Sequence, residues 1–351
     1  MKDIRIYDFE FNLLCIMTDV ISSRWHLQYN GVGTFEGHFR LEDKISEIIL
    51  SHKYLVLVQG DLQAVCTGKI VSDELTVCGR TVNWILTRRI MPPFKARLIF
   101  GETYTDPETV LLYCLKKAFL EPPQIDSEGS EIADTVDENK RVSNFVLPEP
   151  TGSTAFTYHF WRLKANTLSD LTVTLCKRMN RGHRVVFDIE NKCWRFEFIY
   201  PQKNNVVLSK EIKSIYDVSY TEDILREANG GWYPGSNSDT EPDDAAQSDN
   251  VWYYISDESK TGIYAWDCVL ESTGQSEARD ELLKRKISES TKAKLRALKF
   301  NTDYCLGDVV SVHVKLGSFE KEAQCLITGT DIQMTREYSY EEPDLQNTSF
   351  Q

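Results

Sequence analysis

Tyr29-Asn30-Gly31-Val32-Gly33-Thr34-Phe35-Glu36-Gly37-His38-Phe39 holds three glycines in seven positions. Such a stretch is either a bare-backbone loop that cradles a phosphate or two strands meeting at a turn. A dinucleotide loop has the spacing G-x-G-x-x-G and opens a helix whose first amides hold the pyrophosphate. Here the spacing is G-x-G-x-x-x-G, and Phe39-Arg40-Leu41 continues as a strand pattern. The residues therefore favour a turn, with a glycine relieving a crowded strand. Thr67-Gly68-Lys69 lacks the upstream glycine of a P-loop.

Outward from this turn, the first hundred residues read mostly as short strands. Trp25, Leu27 and Tyr29 share one side, as do Phe35, Phe39 and Leu41. Ile4 and Ile6 precede Phe9 and Phe11 of the other parity, which places a bend or bulge near Asp8. YLVLVQ and LQAVCTGKIV form a hairpin around Gln59-Gly60-Asp61, ELTVCGR is a further strand, and TVNWILTRRI makes a helical turn or two. Strands of this length and spacing indicate a barrel or sandwich.

Helix signals follow. Asp106 caps, Pro107 takes the first position, and Glu121-Pro122-Pro123 stops the helix. Thr167 and Asp170 resemble a capping box, Leu168, Leu171, Leu175 and Met179 form the buried side, and Gly182 supplies the left-handed stop. RVVFDIENKCWRFEFIY is a hairpin around Asn191-Lys192. Residues 122–141 form an acidic mobile loop, and 235–250, GSNSDTEPDDAAQSDN, a low-complexity acidic insert. A third helix spans 276–298, and the chain ends in β-strands.

At 351 residues the chain has room for two or three domains. No run of eighteen apolar residues implies a membrane span, and the charged N-terminus lacks an apolar signal core, so neither membrane insertion nor signal-peptide secretion is expected. Nine cysteines without a C-x-x-C pair suit reduced, buried thiols in a cytosol. The net charge of −13 is uneven: residues 1–120 balance at 14 basic and 14 acidic, whereas 231–351 carry 12 against 22. This excludes a basic nucleic-acid stripe.

Chemistry is weakly signalled. There is no G-x-S-x-G elbow, and the six histidines show no metal spacing, although His26 and His38 are placed to approach across the first hairpin. Asp188, Glu190 and Glu197 form a trio suited to acid–base work on a glycosidic bond, or else a solvated hairpin face with Arg195. Trp252, Tyr253, Tyr254, Tyr264 and Trp266 suit sugar stacking, a sheet core or a subunit contact. No catalytic, cofactor-binding or metal residue is assigned.

The segments taken in order resemble the tail-hub proteins of long-tailed phages and prophages. These are related to the N-terminal part of tail-associated lysins and to the baseplate hub of contractile tails. The resemblance rests on Trp25, Tyr29-Asn30, Gly33, Phe35-Glu36-Gly37 and Phe39; on Leu75-Thr76-Val77-Cys78-Gly79-Arg80 and Leu86-Thr87-Arg88-Arg89; on Trp161 and Leu163; and on Thr302-Asp303-Tyr304-Cys305-Leu306-Gly307-Asp308-Val309-Val310. It implies an α+β, mainly β fold: a tube-like β-barrel domain at 1–105, an α/β insertion at 106–200, and a second barrel at 201–351. It implies no cofactor and no enzyme activity. The implied partners are two further copies of the chain, a distal tail ring protein, a spike or tail fibre, and the tape measure protein. DNA would pass through the lumen unbound. The implied location is the virion tail tip, after synthesis in the bacterial host cytoplasm. Two other functions stay open: a carboxylate-dependent cell-wall hydrolase, and a module binding host surface glycans.

Overall fold

The computed structural model describes residues 3–41, 43–91, 106–127, 132, 135–151, 166–225, 227–234, 252–256, 261–270, 275–283, 285, 288–296 and 298–348. The acidic insert 235–250 and the Trp161–Leu163 motif lie outside them. The chain forms two compact units, one of residues 1–218 with 293–351 and one of residues 219–292.

The large unit is built on strands β1 (Ile4–Tyr7), β2 (Leu13–Met17), β3 (Val20–Gln28), β4 (Thr34–Phe39), β5 (Val56–Gln59), β6 (Leu62–Val71) and β7 (Leu75–Thr81). They pair in the order β3-β4-β7-β6-β5-β1-β2. The turn reading of the opening glycines holds: β3 and β4 are antiparallel with Trp25 opposite Phe35. A Cβ on Gly37 would lie 2.7 Å from the rings of both Phe35 and Phe39, so only glycine lets these two buried aromatics stand in line. Trp25, Phe35 and Phe39 join Ile4, Ile6, Leu57, Leu75 and Val77 in one core. Leu41, expected on the same side, is exposed. The bend near Asp8 is a loop whose carboxylate accepts the Glu10 and Asn12 amides at 3.0 and 2.8 Å. Gly60 turns the β5–β6 hairpin with φ of 63°. A 3-10 helix, Val82–Arg88, follows β7.

Helix α1 (Asp43–Ser51), which the strand-like reading of this region overlooked, buries Ile49 in the same core. The intervening region holds short strands β8 (Ile90–Met91), β9 (Phe145–Val146) and β10 (Asn166–Thr167), and helices α2 (Pro107–Leu115) and α3 (Leu168–Arg178). Asp106 caps α2 as read from the sequence, accepting from the Glu108 and Thr109 amides. Thr167 caps α3 through the Asp170 amide at 3.1 Å. The left-handed residue after α3 is Asn180 (φ 52°), not Gly182, which already opens a strand. Strands β11 (Gly182–Asp188) and β12 (Cys193–Ile199) form the expected hairpin, joined in parallel by β9. Phe187, Phe196 and Trp194 pack with Leu111, Leu115, Leu168 and Leu175 of the helices into a second core. In the acidic segment 122–141, the Asp137 amide donates to Pro122 O at 2.6 Å.

The chain continues through β13 (Gln202–Ser209), β14 (Ile215–Asp223), β15 (Gly230–Pro234), β16 (Trp252–Ser256), β17 (Asp267–Val269), α4 (Gln275–Leu283), β18 (Ser288–Leu295), β19 (Asp308–Leu316), β20 (Phe319–Thr335) and β21 (Ser339–Asn347). The helix expected over 276–298 is thus corrected: it ends at Leu283, and 288–295 is strand. Thr291, Ala293 and Leu295 are buried and alternate with Lys292 and Lys294, which is a period of two rather than 3.6.

β20 organises the large unit. Its first half pairs with β19 and its second half with β3, while β21 runs along its residues from Cys325 to Met334. Thirteen strands join in consequence: β1–β7, and six from the later chain in the order β14-β18-β21-β20-β19-β13. The fold is mainly β and mostly antiparallel. Among the described residues the pairings do not close into a barrel.

Candidate interaction surface

The glycine-rich turn is a structural junction. Tyr29 N donates to Thr328 O at 2.8 Å, His183 N donates to Tyr29 O at 3.0 Å, and the Tyr29 hydroxyl donates to Ile199 O at 3.0 Å. Buried Asn83 donates to Gly31 O at 2.7 Å and accepts from Val185 N at 2.6 Å. Gly33 N donates to Thr81 Oγ1 at 2.8 Å. The turn's backbone, with the Tyr29 and Asn83 side chains, thus pins the first sheet to β11, β12 and β20.

The carboxylate trio is not assembled for acid–base work. Asp188 and Glu197 are both tied to Arg195, at 2.5 and 2.7 Å, and Glu197 also to Arg184 at 2.6 Å. Hydrogen bonds from Asn191, then the charge of Arg195, hold Asp188 below its ordinary range. Burial pushes Glu197 up, but its bonds to Arg184 and Arg195 outweigh this and hold it low. A glycosidase acid needs the opposite shift. Glu190 lies in the turn, off the strand. The hairpin face with Arg195 is what the structure contains.

The histidine pair is also corrected. His26 lies opposite Thr34 and His38 opposite Ser22, so the rings sit at different levels of the hairpin. His26 meets Asp331 at 3.2 Å, and His38 meets Glu74 and Glu36 at 2.6 and 3.0 Å. Among the described residues no group of three or more His, Cys, Asp or Glu is placed to hold a metal ion. All nine cysteines are free, and most are buried, but Cys305 is exposed.

The aromatic stretch gives the clearest surface. In the small unit β16, β15 and β17 form a three-stranded sheet. Register sets Tyr254, Trp232 and Val269 in one row across it, with Trp252 opposite Pro234 at its end. One face, bearing Ile255 and Tyr233, packs on Ala278 and Leu282 of α4. The other carries Trp232, Trp252 and Tyr254, which are 44, 44 and 45% exposed. The sheet-core reading of these residues is therefore overturned for this face. Trp232, which the sequence grouping omitted, stands at its centre; Asn-Gly-Gly-Trp-Tyr-Pro before the acidic insert is its only signal. The Tyr254 hydroxyl donates to Asp267 at 2.8 Å, a bond that raises the phenol's pKa. Asn229 fixes the adjoining loop by accepting from Trp266 N and donating to Tyr264 O.

Residues 3–231 match the model of the Siphovirus ReqiPepy6 Gp37-like protein family. The chain belongs to that family. A comparison with the curated proteins finds no match. Among solved structures, this Gp37-like chain is similar to the 43 kDa tail protein of prophage MuSo2 from Shewanella oneidensis, at 9% identity and a TM-score of 0.56 over 98% of each chain. It is also similar to a tail protein from Neisseria meningitidis MC58, at 10% identity and 0.57 over 99% of this chain and 97% of that one. Prophage tail protein gp18 from Listeria monocytogenes EGD-e gives 12% and 0.54 over 99% and 95%. The Gp37-like chain thus has the fold of prophage tail proteins, as the sequence resemblance implied. No helix among its described residues is long and apolar enough to cross a membrane.

Proposed function

We infer that the chain is a non-enzymatic tail-tip hub of a phage or prophage. Three copies form a ring that binds the six-fold distal tail ring on one side and a three-fold spike or fibre on the other. The tape measure protein ends at this ring. The observation that carries the reading is the end-to-end agreement with prophage tail proteins, 98% of one chain on 98% of another.

The sheet organisation supports it. Seven strands from the N-terminal part and six from the C-terminal part meet at β20. Two such modules per chain, barrel-like once assembled, give six in a trimer, and closed cyclic symmetry satisfies their contacts. The net charge of −13 suits a lumen that DNA crosses without counterion-release binding.

Light scattering and electron microscopy of the purified chain, alone and mixed with the distal tail protein of the same phage, test the reading. Three chain masses in a ring, in either sample, are expected. A chain that stays monomeric in both sinks it.

A further inference from the structure

We propose that the exposed face of the β15–β16–β17 sheet is a binding platform for an uncharged glycan chain. The proposal concerns the small unit alone and does not depend on ring formation.

Three observations lead to it. Trp232 and Tyr254 lie side by side with ring centroids 5.0 Å apart and an interplanar angle of 48°, and Trp252 follows on the same face two residues along β16 from Tyr254. The first two rings touch each other, so no cation fits between them as in an aromatic cage. They offer instead two tilted, touching apolar rings. The C–H face of a pyranose ring is weakly positive and apolar, and it lies well on the electron-rich face of an indole or phenol.

Polar groups stand at the margin of these rings. The Tyr254 hydroxyl and the Asp267 carboxylate, already bonded to each other, present further acceptor sites for sugar hydroxyls. Asp267 is the one ionised group on the described part of this face, which disfavours an anionic polymer.

The described part of the face is small for a protein occupant. Strands of three to five residues make a face about 17 Å by about 10 Å, given about 3.3 Å per residue and about 4.8 Å between strands. That is far below the roughly 800 Å² per partner of a stable protein interface. It matches a few sugar rings in line.

Intrinsic tryptophan emission of the full chain, titrated with chitotetraose, cellotetraose and polyglycerol-phosphate teichoic acid, provides the test. A saturable change with at least one neutral tetrasaccharide and none with the polyanion is expected. Trp232→Ala and Trp252→Ala each weaken it by about tenfold or more, while Trp232→Phe keeps part of it. Trp252 sits at a strand end, so its variant serves if Trp232→Ala loses its far-ultraviolet dichroism. No saturable change with either tetrasaccharide, or equal binding by the folded alanine variants, overturns the proposal. So does a Trp232→Ala chain whose only defect is a lower assembly mass, which would make the face a protein contact.

Discussion

Glu108 shows how far a residue's role can depart from its sequence context. An acid in the first turn of a helix ordinarily serves its dipole, but Glu108 is 0% exposed and faces Arg181 at 3.1 Å, while accepting from Thr151 N and Oγ1 at 3.1 and 2.7 Å. The Arg181 guanidinium also lies over the Tyr200 ring, 4.6 Å from its centroid. Removing one charge strands the other in the interior. Glu108→Gln is expected to cost about 3–5 kcal/mol in urea unfolding. The double variant Glu108→Leu/Arg181→Met costs less than that single change, because no buried charge is left unpaired. Additive losses would contradict this account.

His183 gives a prediction of opposite electrostatic kind. It is fully buried, bonded to Asn30 Oδ1 at 2.9 Å, and burial pushes its pKa down to about 4 from the ordinary 6.5. Below pH 6.5 the unfolded chain takes up a proton that the folded chain refuses. Stability therefore falls as pH drops from about 6.5 to about 4, by up to about 3 kcal/mol. His183→Gln flattens that slope. His38 runs the other way. Burial opposes its charge, but the bonds to Glu74 and Glu36 prevail and raise its pKa. Its contribution is complete below 6.5 and is lost as pH rises through the folded value. Chemical denaturation at a series of pH values reads both, and changes of slope relative to the native chain that have the same sign in His183→Gln and His38→Gln would refute the assignment.

At the scale of elements, local signals were readable and distant ones were not. The Gln59–Asp61 and Asn191–Lys192 hairpins and the Asp106 and Thr167 caps each involve neighbours within a few residues, so sequence alone places them. Helix α1 escaped because Ile45, Ile48 and Ile49 look strand-forming, although Ile49 is buried by helical packing. Strand β18 escaped because Lys292 and Lys294 invite a charged helix and hide the alternation of Thr291, Ala293 and Leu295. The pairing of Gly329 with Gln28 spans some three hundred residues and leaves no local mark. Of the candidate surface, Trp252 and Tyr254 were legible as aromatics, but only register with β15 brings Trp232 between Tyr254 and Val269. The strand assignment is checkable in β18. Ala293→Lys buries an unpaired charge and costs more than about 2 kcal/mol, whereas Lys292→Gln stays within about 0.5 kcal/mol. Equal tolerance at the two positions would restore the helix.

For the whole molecule the consequential feature is that β20 serves both halves of the large unit. Its 17 residues pair with β19 up to Leu326 and with β3 from Gly329 onward, and the register along β21 shifts between Ile327 and Gly329. One strand is thus shared by the N-terminal and C-terminal parts of the sheet. The proposed ring, with six equivalent positions from three chains, would need the angle between the two halves fixed, because play between them would blur the six-fold match. Gly329 is where the coupling is most vulnerable. A Cβ there would lie 2.9 Å from Leu27 O, a backbone atom held in the sheet, and 2.4 Å from the Asp344 carboxylate. In the native chain, hydrogen exchange of β4 and β19 amides is expected to report one shared opening, since both sheets rest on β20. Gly329→Ala lifts β20 from β3, costs about 1–3 kcal/mol, and lowers protection in β3 and β4 while β19, paired upstream of the substitution, keeps more of its own. On the proposed function, the same variant should assemble into rings poorly even where it remains folded. Equal loss of protection in β4 and β19 would mean that the two halves still open as one and that Gly329 is not where they uncouple, and intact rings from a chain in which they do uncouple would mean that a fixed angle does not govern assembly.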